Sequence, residues 1–189
     1  MKYYKIVFIL IFLQVSNISA SQLSLKYESF EQALNAQNRI IFNMSSTKAG
    51  VITTDFQGVV KVASITYKKN KNGRYKDISI KIDAKELDTD NESRNEKMYE
   101  KCLEVNQNPH IIVRIPGPVR LGELNPGIIE VRNKKHSVDI FIEKNIAADG
   151  KISLVGKSVL SLKKLEVPDP SIWIATVHDD IEVNFYLIP

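Results

Sequence analysis

The feature that most constrains the fold is a two-residue alternation of apolar and polar side chains that recurs along the chain. In residues 78–83 (ISIKID), isoleucine occupies every second position and polar side chains occupy the positions between. The same period returns at 111–115, 137–142, 152–163 and 181–187. Alternation over four to eight residues is typical of half-buried strands, and antiparallel sheets show it most clearly. The sequence therefore predicts an antiparallel β-sheet protein.

Turn-forming residues separate the alternating segments. They are Asn72-Gly73, Pro116-Gly117-Pro118, Asn125-Pro126-Gly127 and Asp149-Gly150. Asn-Gly and Asp-Gly readily adopt the positive φ angles that tight hairpins require. From the spacing of these signals we expect an antiparallel meander of about eight strands.

One segment follows helical spacing instead of strand spacing. Met98, Cys102 and Val105 would lie on one stripe of a helix, and Thr89 begins a capping-box pattern just before it. We predict one helix near residues 92–104, lying across one end of the sheet. The Cys102 thiol would then be a buried structural group, since no neighbour in the sequence would activate it.

The first 20 residues have the composition of an export signal. Two lysines precede a short apolar run, and the small residues Ser19 and Ala20 end the segment. The run is shorter than the roughly 20 apolar residues that a membrane-spanning helix needs. We predict a signal peptide over residues 1–20 and a single domain over residues 21–189, located in the periplasm or secreted. An uncleaved membrane anchor is the alternative.

Composition and motifs argue against several functional classes. The sequence has a formal charge of +4 over 189 residues and no long cluster of basic residues that could follow a nucleic-acid phosphate backbone. It therefore does not fit a nucleic-acid-binding protein. The sequence has no nucleophile elbow, no phosphate-binding glycine loop and no helical metal motif. His110, His136 and His178 lie in three separate segments at no metal-ligand spacing, and nothing supplies a nucleophile for His178 and its neighbours Asp179 and Asp180. We expect a protein that is not an enzyme and that uses no cofactor and no metal.

Several short motifs follow one another in a characteristic order. One known family has a Ser-x-x-Thr turn, then a charged helix with Arg-Asp, then a Tyr-Pro bend. At the corresponding positions this chain has Leu87-Asp88-Thr89, Arg94-Asn95 and Asn108-Pro109. Asp55-Phe56-Gln57-Gly58 is similar to the Gly-x-Phe region of that family, and residues 177–183 are similar to its closing Val-x-Asp-x-Val strand. Over residues 39–189 the chain resembles the YceI-like family of exported lipid-binding proteins.

The resemblance implies an all-β fold, an elongated antiparallel barrel of lipocalin type with an apolar tunnel. Members of that family are associated with polyisoprenoid chains such as quinone tails. It therefore implies a protein that sequesters or carries a long apolar lipid or isoprenoid. The residues that would line the tunnel are Phe42, Phe56, Ile80, Ile82, Val113, Ile140, Ile142 and Leu160.

Three points stay open in the sequence. A barrel of eight strands is narrow enough for its own side chains to fill it, so an envelope interaction or structural protein with a ligand-free barrel is the alternative function. The basic segment 68–74 (KKNKNGR) fits either transient contact with a membrane surface or, more commonly for a hairpin turn, a solvated tip. Trp173 would either gate one mouth of the barrel or, more simply, cover it.

Overall fold

The computed structural model describes residues 19–146 and 152–189. Within these ranges, twelve strands form one sheet in which every strand pair is antiparallel. The strands are β1 (Ser19–Lys26), β2 (Arg39–Lys48), β3 (Ile52–Val60), β4 (Val62–Lys69), β5 (Tyr75–Asp83), β6 (Leu87–Asp88), β7 (His110–Pro118), β8 (Glu123–Val131), β9 (Lys134–Ile146), β10 (Ile152–Ser161), β11 (Ala175–Val177) and β12 (Asp180–Leu187). Helical segments are α1 (Phe30–Leu34), a 3₁₀ turn (Ala84–Glu86), α2 (Glu92–Lys97) and a π-helical turn (Met98–Leu103). The predicted signal peptide lies outside the described residues except for Ser19 and Ala20, which begin β1.

The sheet curls into a half-barrel. Its strand order is β1-β4-β5-β7-β8-β9-β10-β12-β2-β3-β6, and β11 pairs with the free end of β2. Only Lys61 separates β3 from β4, so one bent segment contributes to both sides of the sheet and draws them towards each other. The predicted all-β antiparallel class is confirmed. The expected count of about eight strands is wrong. β6 and β11 are too short to show any alternation, the burial of β3 does not alternate, and β8 contains residues that were predicted to form a turn.

The turn signals have mixed outcomes. Asn72-Gly73 does form the β4–β5 turn, where Gly73 has φ +71° and its N–H donates to the Asn70 carbonyl at 2.9 Å. Asn125-Pro126-Gly127 instead lies inside β8. The buried Asn125 side chain accepts from the Arg120 N–H at 2.8 Å and donates to the Arg120 carbonyl at 2.9 Å. From its position in β8, the Asn125 side chain therefore stabilises the preceding turn between β7 and β8. Asp149-Gly150 lies outside the described residues.

The predicted helix near residues 92–104 is confirmed, since α2 and the π-helical turn together cover Glu92 to Leu103. Its N-cap is Asn91, whose side chain accepts from the Arg94 N–H at 2.9 Å, and not Thr89 as the capping-box pattern suggested. Thr89 is buried and its hydroxyl donates to Asn95 Oδ1 at 2.7 Å. Cys102 is buried as predicted, and burial raises the pKa of its thiol.

One large apolar cluster fills the concave side of the sheet. Two aromatic rings pack against glycines that are their direct partners on neighbouring strands: Phe42 faces Gly58, and Phe185 faces Gly156. A Cβ atom at Gly58 would lie 2.0 Å from Phe42 Cζ, and one at Gly156 would lie 2.2 Å from Phe185 Cζ. Glycine is therefore required for the rings to lie flat on the strands. Around Phe42 and Phe185 the interior of the half-barrel is therefore filled by the protein's own side chains.

Candidate functional site

The sheet splits between β9 and β10. These strands pair from Ile146 with Ile152 to Phe141 with Lys157, and there the ladder ends. Beyond that point β9 stays paired with β8, and β10 stays paired with β12. Because each strand keeps its other neighbour, the two strands diverge and leave a gap in the wall of the half-barrel. The Ser158 hydroxyl donates to the Asp139 carbonyl across the start of the gap, at 2.8 Å.

A cavity of about 760 Å³ occupies this gap, and we call it the β9–β10 cleft. Pockets for small ligands usually have volumes of about 300–1,000 Å³. The apolar residues that line the cleft are Leu124, Val138, Phe141, Val159, Leu160 and Leu165. The polar residues that line it are Lys135, His136, Ser137, Asp139, Lys157, Ser158, Ser161, Lys164 and Glu182.

The cleft connects the outer surface of the sheet with the apolar interior. Side chains from both faces of the strands line it, and Val138 and Leu160 also pack against the apolar cluster. Val159, by contrast, points outwards and is largely exposed. A molecule in the cleft would thus contact polar groups at the rim and apolar side chains further in. This arrangement suits an amphipathic ligand better than a fully polar one.

His136 is the polar residue of the cleft with an unsatisfied ring nitrogen. Its Nε2 atom is buried and has no hydrogen-bond partner in the described part of the chain. The large majority of buried polar side-chain atoms in proteins have such a partner. The Nε atom of Arg132 is in the same condition, but its other nitrogens bond to Glu104 at 2.9 Å and to the Glu166 carbonyl at 3.1 Å. Nε2 of His136 is therefore a buried and unpaired hydrogen-bonding atom in the wall of the cleft.

The residues predicted to line a tunnel fall into three groups. Phe42, Ile80, Ile82, Val113, Ile140 and Ile142 belong to the apolar cluster, where all but the half-buried Val113 are buried. Leu160 is half-buried and lines the β9–β10 cleft. Phe56 lies apart from both, with its ring under the Arg94 guanidinium of α2 at 4.0 Å. Six of the predicted residues therefore lie together, and only Leu160 lies on the cleft.

His178 has partners that the sequence did not reveal. Its Nδ1 atom lies 2.8 Å from the Ser45 hydroxyl, and its Nε2 atom lies 2.8 Å from the Thr47 hydroxyl. The neighbouring Asp179 carboxylate accepts from Ser161 and from the Lys163 N–H instead of contacting the ring. Among the described residues, His178 thus lacks the carboxylate that orients the imidazole in a serine–histidine–aspartate triad. The same residues contain no group of His, Cys, Asp or Glu suited to hold a metal ion.

Sequence reasoning missed most of the cleft. Lys135, His136, Ser137 and Asp139 follow the same alternation as the paired part of β9, so nothing in their pattern marks the loss of a neighbour. The only irregularity is Phe141, an aromatic residue on the outward, polar side of β9, and it lies at the last rung before the strands diverge.

Solved structures with the same fold include three bacterial proteins. BcnA of Burkholderia cenocepacia has a TM-score of 0.62 and 13% identity, and the match covers 78% of this chain and 94% of BcnA. A polyisoprenoid binding domain of Saccharophagus degradans, implicated in plant cell wall breakdown, has a TM-score of 0.56 and 12% identity over 80% of this chain and 98% of the domain. The YceI protein of Campylobacter jejuni has a TM-score of 0.50 and 14% identity over 69% and 81%.

At such identities these likenesses show the fold alone. No curated protein matches the chain significantly. None of the helices in the described ranges is both long and apolar enough to cross a membrane. The model of the YceI-like domain matches residues 31–188, which is most of the sequence and the same region that carries the motifs. The chain therefore belongs to the YceI-like domain family.

Proposed function

We propose that this protein binds a long apolar molecule of the polyisoprenoid type, which enters the half-barrel through the β9–β10 cleft. The observation that carries the proposal is the split of the sheet, which leaves a cavity of about 760 Å³ lined in part by side chains that pack against the apolar cluster. The fold is shared with a protein described as a polyisoprenoid binding domain, which supports the same ligand class.

The energetics favour loose specificity and high affinity. Val138 and Leu160 are only half-buried and retain apolar surface in the cleft. Each methylene group that a ligand buries there contributes about 0.8 kcal/mol. A long hydrocarbon chain thus gains affinity in proportion to its buried length and needs few polar contacts.

Export is part of the proposal. The short apolar run and small residues within positions 1–20 support a cleaved signal and a periplasmic or secreted protein. In such a compartment a lipid carrier would shield an apolar chain from water. N-terminal analysis of the exported protein tests this, and an intact Met1 in the membrane fraction would contradict it.

A second function is favoured by the packing of the interior. Phe42 and Phe185 lie flat on glycines, and Ile142 is only 1% exposed. These side chains fill the part of the half-barrel around them. Such packing fits an envelope interaction or structural protein whose barrel holds no ligand.

Mass spectrometry of an organic extract of the purified protein separates the two functions. We expect a long-chain isoprenoid lipid in amounts comparable to the protein, and we expect the stripped protein to bind an added polyprenol. If the extract contains no lipid and added polyprenol does not bind, the interaction protein is the better description.

His136→Phe is expected to weaken binding of farnesol about two- to tenfold, because a typical hydrogen bond contributes about 0.5–1.5 kcal/mol. In this proposal the His136 ring turns so that Nε2, which is buried in the free protein, bonds to the hydroxyl head of the ligand while the chain occupies the cleft. Binding of farnesene, which has a similar chain and no hydroxyl, should change little. Competition against a fluorescent isoprenoid measures both affinities.

The matched control is His110→Phe, since His110 is exposed at the start of β7 and does not line the cleft. It should leave both affinities unchanged. An equal effect of His136→Phe on farnesol and farnesene would show that the ring contributes packing and no hydrogen bond.

A further inference from the structure

Five large apolar side chains are exposed on two adjoining turns. Trp173 is 100% exposed and Val51 is 80% exposed, and Ile52, Ile172 and Ile174 are exposed beside them. We call these five residues the apolar tip. Single exposed apolar residues are common on proteins, but a contiguous group of this kind marks an interaction surface. The sequence suggested that Trp173 covers a barrel mouth, but its full exposure shows that it does not.

The two turns are joined by backbone hydrogen bonds. The β2–β3 turn has Ala49 and Gly50 at positive φ (48° and 72°), which is the geometry of a tight hairpin, and it projects Val51 outwards. The second turn has mutual 2.9 Å bonds between Ile172 and Ala175, so Trp173 and Ile174 form its apex.

The Ala49 N–H donates to the Ile174 carbonyl at 2.9 Å, and β11 pairs with the end of β2. The two turns thus form one surface and hold the five side chains in fixed relation to each other.

We propose that the apolar tip inserts into the interfacial region of a lipid bilayer. Residues 47–53 and 171–176 contain a single charged side chain, Lys48, which is exposed and positive. A lysine next to inserted apolar side chains can extend its ammonium group to the lipid phosphates. Tryptophan is enriched at the membrane–water interface, where its ring and N–H are both accommodated. A pair of projecting turns without a carboxylate fits a bilayer better than it fits a peptide, which would need a groove.

The tip lies at the same end of the strands as the opening of the β9–β10 cleft. β10 ends at Ser161 opposite Asp180, the first residue of β12, and β12 in turn pairs with β2, which ends at Lys48. Docking by the tip would bring the cleft close to the membrane. The inference goes beyond the proposed function, because the tip can dock whether or not the cleft holds a ligand.

Trp173 is the only tryptophan in the sequence, so its fluorescence reports on the tip directly. On addition of phosphatidylcholine vesicles we expect its emission to shift to shorter wavelength and to be quenched by brominated acyl chains. In a flotation assay, Trp173→Ser is expected to reduce the vesicle-bound fraction about tenfold, which corresponds to the burial of one large side chain. Val51→Ser should act in the same direction with a smaller effect. High salt should have little effect, because only Lys48 contributes charge.

The control is Leu121→Ser, since Leu121 is also exposed but lies on the turn between β7 and β8. All variants are made in the same full chain, so any contribution of residues 1–18 is common to them. An unshifted emission spectrum, or an equal loss with Leu121→Ser, would overturn the proposal. So would a concentration-dependent dimer that Trp173→Ser dissociates, if vesicles cause no spectral shift. If the wild-type protein does not dock on vesicles but still binds polyprenol, the tip is refuted and the proposed function stands.

Discussion

Leu160→Trp is expected to reduce isoprenoid binding at least about tenfold, a change of roughly 1.4 kcal/mol, while the fold remains nearly as stable. Leu160 is half-buried and lines the β9–β10 cleft, so an indole there has room to extend into the cleft volume. The same indole would occupy space that the ligand needs. Binding of a fluorescent polyisoprenoid and urea unfolding, both on delipidated protein, measure the two effects.

Ile140→Trp is the matched substitution in the packed interior. Ile140 is 6% exposed, and a Cβ atom at Gly127 would lie only 3.1 Å from its Cδ1 atom, which shows how little space surrounds it. Inserting extra volume into close packing costs about 1–3 kcal/mol, so we expect lower stability here than in Leu160→Trp. If both variants lose stability equally and the wild-type protein binds no isoprenoid, the cleft is not a binding site and the interaction protein becomes the better description.

For β5 and β9 the alternation predicted which face of the strand is buried. Ile80, Ile82, Ile140 and Ile142 were assigned to the interior from a two-residue period, and all four are buried. This part of the fold is predictable because strand geometry alone sends successive side chains to opposite faces. The helix was also predictable, since its spacing breaks the period.

The pairing of the strands was not predictable in the same way. Alternation fixes the face on which His136 and Leu160 lie, but it carries no information on whether the neighbouring strand is within bonding distance. The β9–β10 cleft depends on where the two strands diverge, which is a property of both strands and of their other neighbours. The exposed position of Trp173 was also not predictable, because the two-residue turn at 173–174 contains no glycine or asparagine that would indicate a turn.

Gly156→Ala is expected to destabilise the protein by about 3 kcal/mol, because it overpacks a site bounded partly by backbone. The new Cβ atom would lie 2.2 Å from Phe185 Cζ and 2.5 Å from the Phe141 carbonyl oxygen. A ring can tilt away, but the carbonyl belongs to β9 and moves only if the strand moves. For a chain of this size the melting temperature should fall by roughly 6–12 °C.

Gly58→Ala provides the comparison, since the three atoms nearest its new Cβ all belong to the Phe42 ring, the nearest at 2.0 Å. We expect Phe42→Leu to recover most of the stability lost in Gly58→Ala, and Phe185→Leu to recover less in Gly156→Ala, because the Phe141 carbonyl remains. Double-mutant cycles in urea measure these couplings.

Gly156 pairs with Ile142, one rung before the β9–β10 ladder ends. If alanine there pushes β9 outwards, the amides of these last rungs should exchange with solvent faster than those of the β10–β12 ladder. Uniform exchange across both ladders would show instead that the ring, and not the strand, absorbs the added methyl group.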